Sequence, residues 1–175
     1  MDQPGKPQGP IRASDLDPQF TLDVLRDKDA RGLNACFSCG ACTAGCPISE
    51  VFPDYSPRKL AKMVKLGMRR EVLASPLIWC CTTCHSCEQH CPQNVGFFNI
   101  LNVLKNMAAE AGYAPPAWVE QTRQVMRTGL AFPADDALAR KRAARSLPAI
   151  KSDGAGAKRL IASTGADKIQ AQGDR

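Results

Sequence analysis

Aromatic side chains are scarce in this sequence, at 6% of 175 residues, and histidine occurs only twice. A core must therefore lean on Leu, Ile, Val, Met and Ala, and the 44% hydrophobic content is enough to build one. Long apolar runs are missing too. Pro76–Cys81 and Phe97–Leu104 are the greasiest stretches, well short of the ~18 residues a membrane-spanning helix needs. No apolar segment follows the charges near Met1, so no secretory signal is expected and the chain reads as soluble and cytoplasmic. Strand alternation and an Asn-Gly hairpin signal are absent. Gly154-Ala-Gly156 lacks a preceding strand and a third glycine, so it is no dinucleotide fingerprint. No phosphate loop, flavin motif or nucleophile–base pair can be located either. The sequence thus offers no substrate-converting site and no catalytic residue of its own.

Cysteine is what the sequence has. All nine lie between Cys36 and Cys91, and the odd number argues against a complete disulfide framework. Cys36, Cys39, Cys42 and Cys46 are spaced C-x2-C-x2-C-x3-C-P, ending at Pro47. Cys81, Cys84, Cys87 and Cys91 repeat that spacing, ending at Pro92. In two-cluster ferredoxins of this spacing, three thiolates wrap one corner of a cubane and the fourth binds the other cluster. By that rule one [4Fe–4S] cluster takes Cys36, Cys39, Cys42 and Cys91, and the second takes Cys81, Cys84, Cys87 and Cys46. Structural zinc is the bland alternative. It needs only four ligands from two C-x2-C knuckles, and a third x2-spaced cysteine has no role in a knuckle. Cys80 would break the spacing before Cys84, so Cys81 is the expected ligand and Cys80 a small apolar residue. His85 and His90 lie inside the second loop, where four cysteines leave no ligand position to fill; both read as solvated.

The periodicity around these motifs is helical. A helix is expected from Asp17-Pro18 with Phe20, Val24 and Leu25 on one side, ended by Gly32. Another starts at Ser56-Pro57, with Leu60, Met63, Val64 and Gly67 inward, and Gly67 kinks or divides it. Arg58, Lys62, Lys65 and Arg69 form the opposite face; offsetting cluster charge, docking a partner and plain solvation all remain open for it. The clearest helix carries Phe97, Ile100, Leu101, Leu104, Met107 and Ala108, with Asn94 as cap and Gly112 as stop. Pro115-Pro116 opens a helix to about Gly129 with Val119, Thr122 and Met126 inward, and Asp135-Asp136 opens a short one. The expected class is all-α, divided into a flexible leader 1–14, a two-cluster domain 15–112, a helical docking extension 113–148 and a loosely ordered tail 149–175.

The charge of +6 raises the question of nucleic acid. Each oxidised cubane with its four thiolates carries a net charge of about −2, so the loaded protein falls to about +2. Aromatics interleaved with the basic residues are missing, and nucleic-acid binding is disfavoured.

With these motifs placed, the chain resembles the C-type iron–sulfur subunit of heterodisulfide reductases and of the related bacterial heterodisulfide-reductase-like complexes. The matching text is Cys36–Pro47, Ser56-Pro-Arg-Lys-Leu60, Leu66-Gly-Met-Arg-Arg-Glu-Val72, Ile78-Trp79 and Cys81–Val95, within roughly residues 15 to 130. The resemblance implies an α-helical ferredoxin fold, whereas compact bacterial ferredoxins embed the same ligand text in βαβ halves. It also implies an electron-carrying subunit between a flavin-containing A-like subunit and a B-like subunit acting on disulfide, thiol or sulfur substrates. A free ferredoxin shuttle and a subunit of a hydroxy-acid or dicarboxylate dehydrogenase are the competing readings. No cysteine follows Cys91, unlike glycolate-oxidase-type relatives that carry a further cysteine-rich domain. Membrane-fused versions need spans that this sequence does not show. The Ala- and Arg-rich composition leans toward the sulfur-oxidising type.

Overall fold

The computed structural model describes residues 10–132 and 134–171. Most of the flexible-leader expectation, residues 1–9, lies outside them; Ala13–Asp15 is a single 3-10 turn. Among the described residues there is no strand beyond one isolated bridge, Ala114 to Ala171, and the protein is all-α. The chain divides into two compact units, residues 1–113 and 114–175, and every cysteine is in the first.

In the first unit α1 (Gln19–Arg26) buries Phe20 and Val24 completely. Asp17 accepts from the Gln19 amide at 2.9 Å. Gly32 does not end this helix. A separate 3-10 helix, Lys28–Ala35, runs through it, capped by Asp27, whose carboxylate accepts from Asp29 N. Gly32 is there for clearance, since a Cβ would sit 2.2 Å from the Val95 carbonyl oxygen.

Four-residue α2 (Ala41–Ala44) and five-residue α3 (Pro47–Val51) follow, too short for periodicity to reveal. α4 (Pro57–Lys65) starts where expected, because the Ser56 hydroxyl accepts from Lys59 N at 3.2 Å and Pro57 occupies the first turn. Leu60, Ala61 and Val64 are buried. Gly67 adopts φ +77°, ends the helix and gives its carbonyl to the Asp17 amide at 2.7 Å, and α5 (Arg69–Leu73) restarts behind it.

After a 3-10 turn (Pro76–Cys80) and α6 (Ser86–Gln89) comes α7 (Phe97–Glu110), the central helix. Ile100, Leu101 and Leu104 are fully buried on it, each such side chain stabilising by about 1.5–3 kcal/mol. Its cap is Gly96 at φ +65°; Asn94 instead sits two residues earlier in its own left-handed turn at φ +48°. Gly112 stops it, as expected, at φ +81°.

The second unit holds α8 (Pro116–Thr128), α9 (Asp136–Ala143) and α10 (Gly154–Ser163). Of the three residues expected inward on α8, only Val119 is buried. Asp135 caps α9 by accepting from Leu138 N at 2.7 Å. The stretch 149–175, expected to be a loose tail, contains α10, which packs on α8. Asp153 starts it by accepting from Gly156 N at 2.8 Å. A Cβ on Gly154 would meet the Arg127 carbonyl at 2.6 Å, so a helix breaker here serves close packing.

Among the described residues no helix is long and apolar enough to cross a membrane.

Candidate metal centre

The two cysteine loops share one backbone design. In the first, Ser38 and Gly40 have φ of +61° and +95°; at the same offsets in the second, Thr83 and His85 have +58° and +61°. Each left-handed residue after the second cysteine leads directly into a short right-handed helix, α2 or α6. That alternation turns successive backbone N–H groups into a concavity that suits an anion. Glycine adopts the left-handed conformation freely, whereas His85 does so at a cost. Its ring is held by Glu88 Oε2, 2.8 Å from Nδ1, and by Phe98, 4.1 Å between centroids. His90 lies against Gly45, where a Cβ would meet its ring at 2.7 Å, and its Nδ1 is 3.2 Å from the Ser86 carbonyl. Both histidines are exposed, as expected, while making these contacts with the loop scaffold.

Cys36, Cys39, Cys42 and Cys91 line one hollow, together with Arg58, Val95 and Cys87. Burial pushes the Cys42 thiol up, and the fields of Cys36, Cys39 and Cys91 add to it. The cysteine that ends the second motif is therefore beside the first triplet. Cys46, which ends the first motif, acts with Cys81 and Cys87 on the hydroxyl of buried Tyr55. Burial drives that phenol far above its ordinary value, and the three sulfurs push the same way. Cys87 is pushed up to about 11, chiefly by burial. Cys84 stands apart at the exposed edge of its loop, its sulfur 3.4 Å from the Ser86 hydroxyl, which holds the thiol below its ordinary value.

The donor set suits cubanes. Backbone amides already point at sulfurs, Thr83 N to Cys81 Sγ at 3.4 Å and Val95 N to Cys91 Sγ at 3.3 Å, as thiolates carrying cluster charge require. Among the described residues no three His, Cys, Asp or Glu side chains converge as ligands of a single ion would.

Cys80 points elsewhere. Its thiol lies 3.7 Å from the Pro76 carbonyl of its own turn, and burial raises it against the opposing field of Lys105.

The face of α4 expected to be basic is partly spent on this scaffold. Lys65 Nζ donates to the Cys36 carbonyl at 2.7 Å, and Arg58 lines the first hollow. Arg69, on α5, bonds Asp17 and Asp23 and lies over the Phe20 ring at 4.9 Å.

Sequence reasoning missed Tyr55 and the paired left-handed positions. Only the repeated x2 spacing could have hinted at the last.

Comparison with known proteins agrees with this chemistry. Residues 32–95 match a family described as a 4Fe-4S dicluster domain. The C-type subunit of the H(2):CoB-CoM heterodisulfide,ferredoxin reductase of Methanothermobacter thermautotrophicus is 33% identical over 127 residues, 73% of this chain and 68% of that one. The second C-type iron-sulfur subunit of the CoB--CoM heterodisulfide reductase of Methanocaldococcus jannaschii is 37% identical over 126 residues, covering 72% and 67%. The corresponding iron-sulfur subunit of Methanopyrus kandleri is 33% identical over 133 residues, covering 72% and 69%. Two cysteine loops of one design, a matching dicluster domain and relatives aligned over most of both chains lead to one statement: this is a two-[4Fe–4S]-cluster protein of the family of C-type heterodisulfide reductase subunits.

Proposed function

We propose that the chain relays single electrons between a flavin-containing A-like subunit and a B-like subunit that acts on disulfide, thiol or sulfur substrates. Cys36, Cys39, Cys42 and Cys91 hold one cluster; Cys81, Cys84, Cys87 and Cys46 hold the other. When bound, each cluster supplies a one-electron carrier and no substrate chemistry. The protein's own residues fix the position of each carrier, bond its thiolates and shield them from water.

The observation that supports the reading is Cys91 in the lining of the hollow shared by Cys36, Cys39 and Cys42, as an exchange of terminal cysteines would place it. Such an exchange would set the two sites side by side, and Cys87 lines the first hollow as well. Exposed Cys39 and Cys84 provide one thinly covered edge per site, where electrons can arrive and leave. Residues 113–148 form the docking extension, and nine free cysteines suit a reducing compartment, the cytoplasm.

Two experiments test this. Anaerobic pull-down from native extract, followed by mass spectrometry, should recover A-like and B-like subunits; recovery of a hydroxy-acid dehydrogenase, or of no stable partner, overturns the assignment. EPR of single variants should group Cys46→Ser with Cys84→Ser, and Cys91→Ser with Cys39→Ser. If Cys46→Ser groups with Cys39→Ser, each loop keeps its own cluster.

A further inference from the structure

The two cysteine loops sit in stretches of opposite charge. No Asp or Glu occurs from Ala30 to Ser49 or from Ser56 to Arg70, and α4 carries Arg58, Lys59, Lys62 and Lys65. The second loop is the reverse. From Glu71 to Leu104 there is no Lys or Arg, and Glu88 Oε2 lies 2.8 Å from His85 Nδ1. The two acid-free stretches meet at the mouth of the first hollow. Phe37, Cys39 and Arg58 line it, and a Cβ on Gly40 would sit 3.5 Å from Arg58 Cδ. Lys65 Nζ bonds the Cys36 carbonyl at 2.7 Å. Phe37, 61% exposed, and Leu66, 47% exposed, directly follow the two residues which that bond joins. Lys59 and Lys62 are exposed on α4, and among the described residues neither side chain has a hydrogen bond or ion pair.

We propose that this mouth docks a protein redox partner whose contact face carries Asp and Glu around an apolar centre. Phe37 is the apolar contact, and Lys59 and Lys62 are the cations of the rim. The inference rests on the relay proposed above, which needs a partner at exposed Cys39. A loaded site carries negative charge and by itself repels carboxylates. Arg58 and Lys65, held against the first loop, offset that charge. Complementary charge then steers the encounter, while a buried aromatic at the centre lengthens the stay. The edge at Cys84 has Glu88 in its loop and no cation in its stretch, so it disfavours the same acidic face. The relay thereby tells its two partners apart.

The test uses the reconstituted full chain with the A-like and B-like subunits recovered from native extract. Association with each subunit is measured across a range of salt, for the native chain and for Lys59→Glu/Lys62→Glu. Iron content should be unchanged in the variant. Association with one subunit should slow by about ten-fold or more at low salt, and association with the other should not move. For the native chain that same association should weaken as salt rises; the variant should lose this dependence. Unchanged association with both subunits, or an equal loss with both, overturns the proposal.

Should the double variant fail to hold iron, carbodiimide cross-linking of the native complex decides without it. The reagent joins an ammonium to a carboxylate in direct contact, so Lys59 or Lys62 should be coupled to an Asp or Glu of the partner. Cross-links that avoid both lysines overturn the proposal. A DNA duplex and phosphatidylglycerol vesicles are tested alongside. Binding of either that the double variant loses, with subunit association intact, gives the face another occupant and overturns the proposal. The two readings fail separately. If the pull-down returns a hydroxy-acid dehydrogenase, the relay assignment falls, while cross-links from Lys59 or Lys62 to its carboxylates uphold the acidic partner. If A-like and B-like subunits are recovered and neither responds, the docking face alone falls. No partner even at low salt overturns both.

Discussion

Lys65 Nζ donates to the carbonyl oxygen of Cys36 at 2.7 Å, tying the end of α4 to the first cysteine of the first loop. The ammonium thereby holds a positive charge close to a site that carries negative charge when loaded. Lys65→Met should leave the iron content intact and move the midpoint of the Cys39→Ser-sensitive cluster to a more negative value. Lys65→Arg, which keeps charge and donor, should move it less. Redox titration of the two variants side by side is the check, and equal midpoints in both would leave the ammonium without electrostatic influence.

Gly32 should not tolerate a side chain. Its missing Cβ is what lets the Val95 carbonyl close over the 3-10 helix, and a methyl group there would overlap backbone at 2.2 Å. Gly32→Ala is expected to cost about 1–3 kcal/mol or more, the range of overpacked sites whose neighbours cannot step aside. Because Val95 N also bonds Cys91 Sγ, iron retention should fall with stability. Urea unfolding and iron analysis of the variant report both.

Cys80→Ser should keep both clusters, at about eight iron and eight sulfide per chain. Its thiol faces the Pro76 carbonyl, which a serine hydroxyl can also reach. Cys81→Ser should lose or convert one cluster. Iron and acid-labile sulfide analysis after anaerobic reconstitution decides between the neighbours.

Arg69 joins α5 to α1 through two carboxylates, and this link should respond to acid. Its hydrogen bonds hold Asp17 and Asp23 below the ordinary value of 3.8, outweighing a smaller upward push from burial. A carboxyl depressed in the folded state contributes stability above the unfolded value and loses it as pH falls through the folded one. The gap in urea midpoint between the native protein and Asp17→Asn/Asp23→Asn should therefore be level from pH 7 to about 5 and narrow progressively below about pH 4. A gap that did not narrow at all as the pH fell below 4 would assign the effect to packing.

Start signals with a local mechanism were legible in the sequence. Ser56-Pro57, Pro115-Pro116 and Asp135 each begin a helix for reasons contained within one turn. The cysteine spacing likewise carried the cofactor type, because the ligand count and intervals are themselves the chemistry. Signals whose meaning depends on a distant residue were not legible. Gly32 looked like a helix stop because only the folded chain shows Val95 above it. Gly154 and Gly156 looked like tail because α8, against which their helix packs, is well separated from them in sequence. Asn94 has the side chain of a cap, but the left-handed turn needed at the start of α7 fell to Gly96. α2 and α6 are single turns set by the left-handed residue before each, so no periodicity could announce them. Tyr55 belongs to no motif at all, and only the folded chain shows its burial.

The gathering of Cys91 with Cys36, Cys39 and Cys42 has a consequence for how the protein is made. A ribosome releases the first triplet long before the residue that closes its hollow. Throughout that interval the nascent chain carries three thiols without the fourth that lines their hollow. On the ligand set proposed above, iron delivery waits until Cys91 has emerged and α7 has begun to draw the two stretches together. Translation speed between the motifs, and whatever shields the early thiols from oxygen, therefore become determinants of yield in any host that expresses this chain.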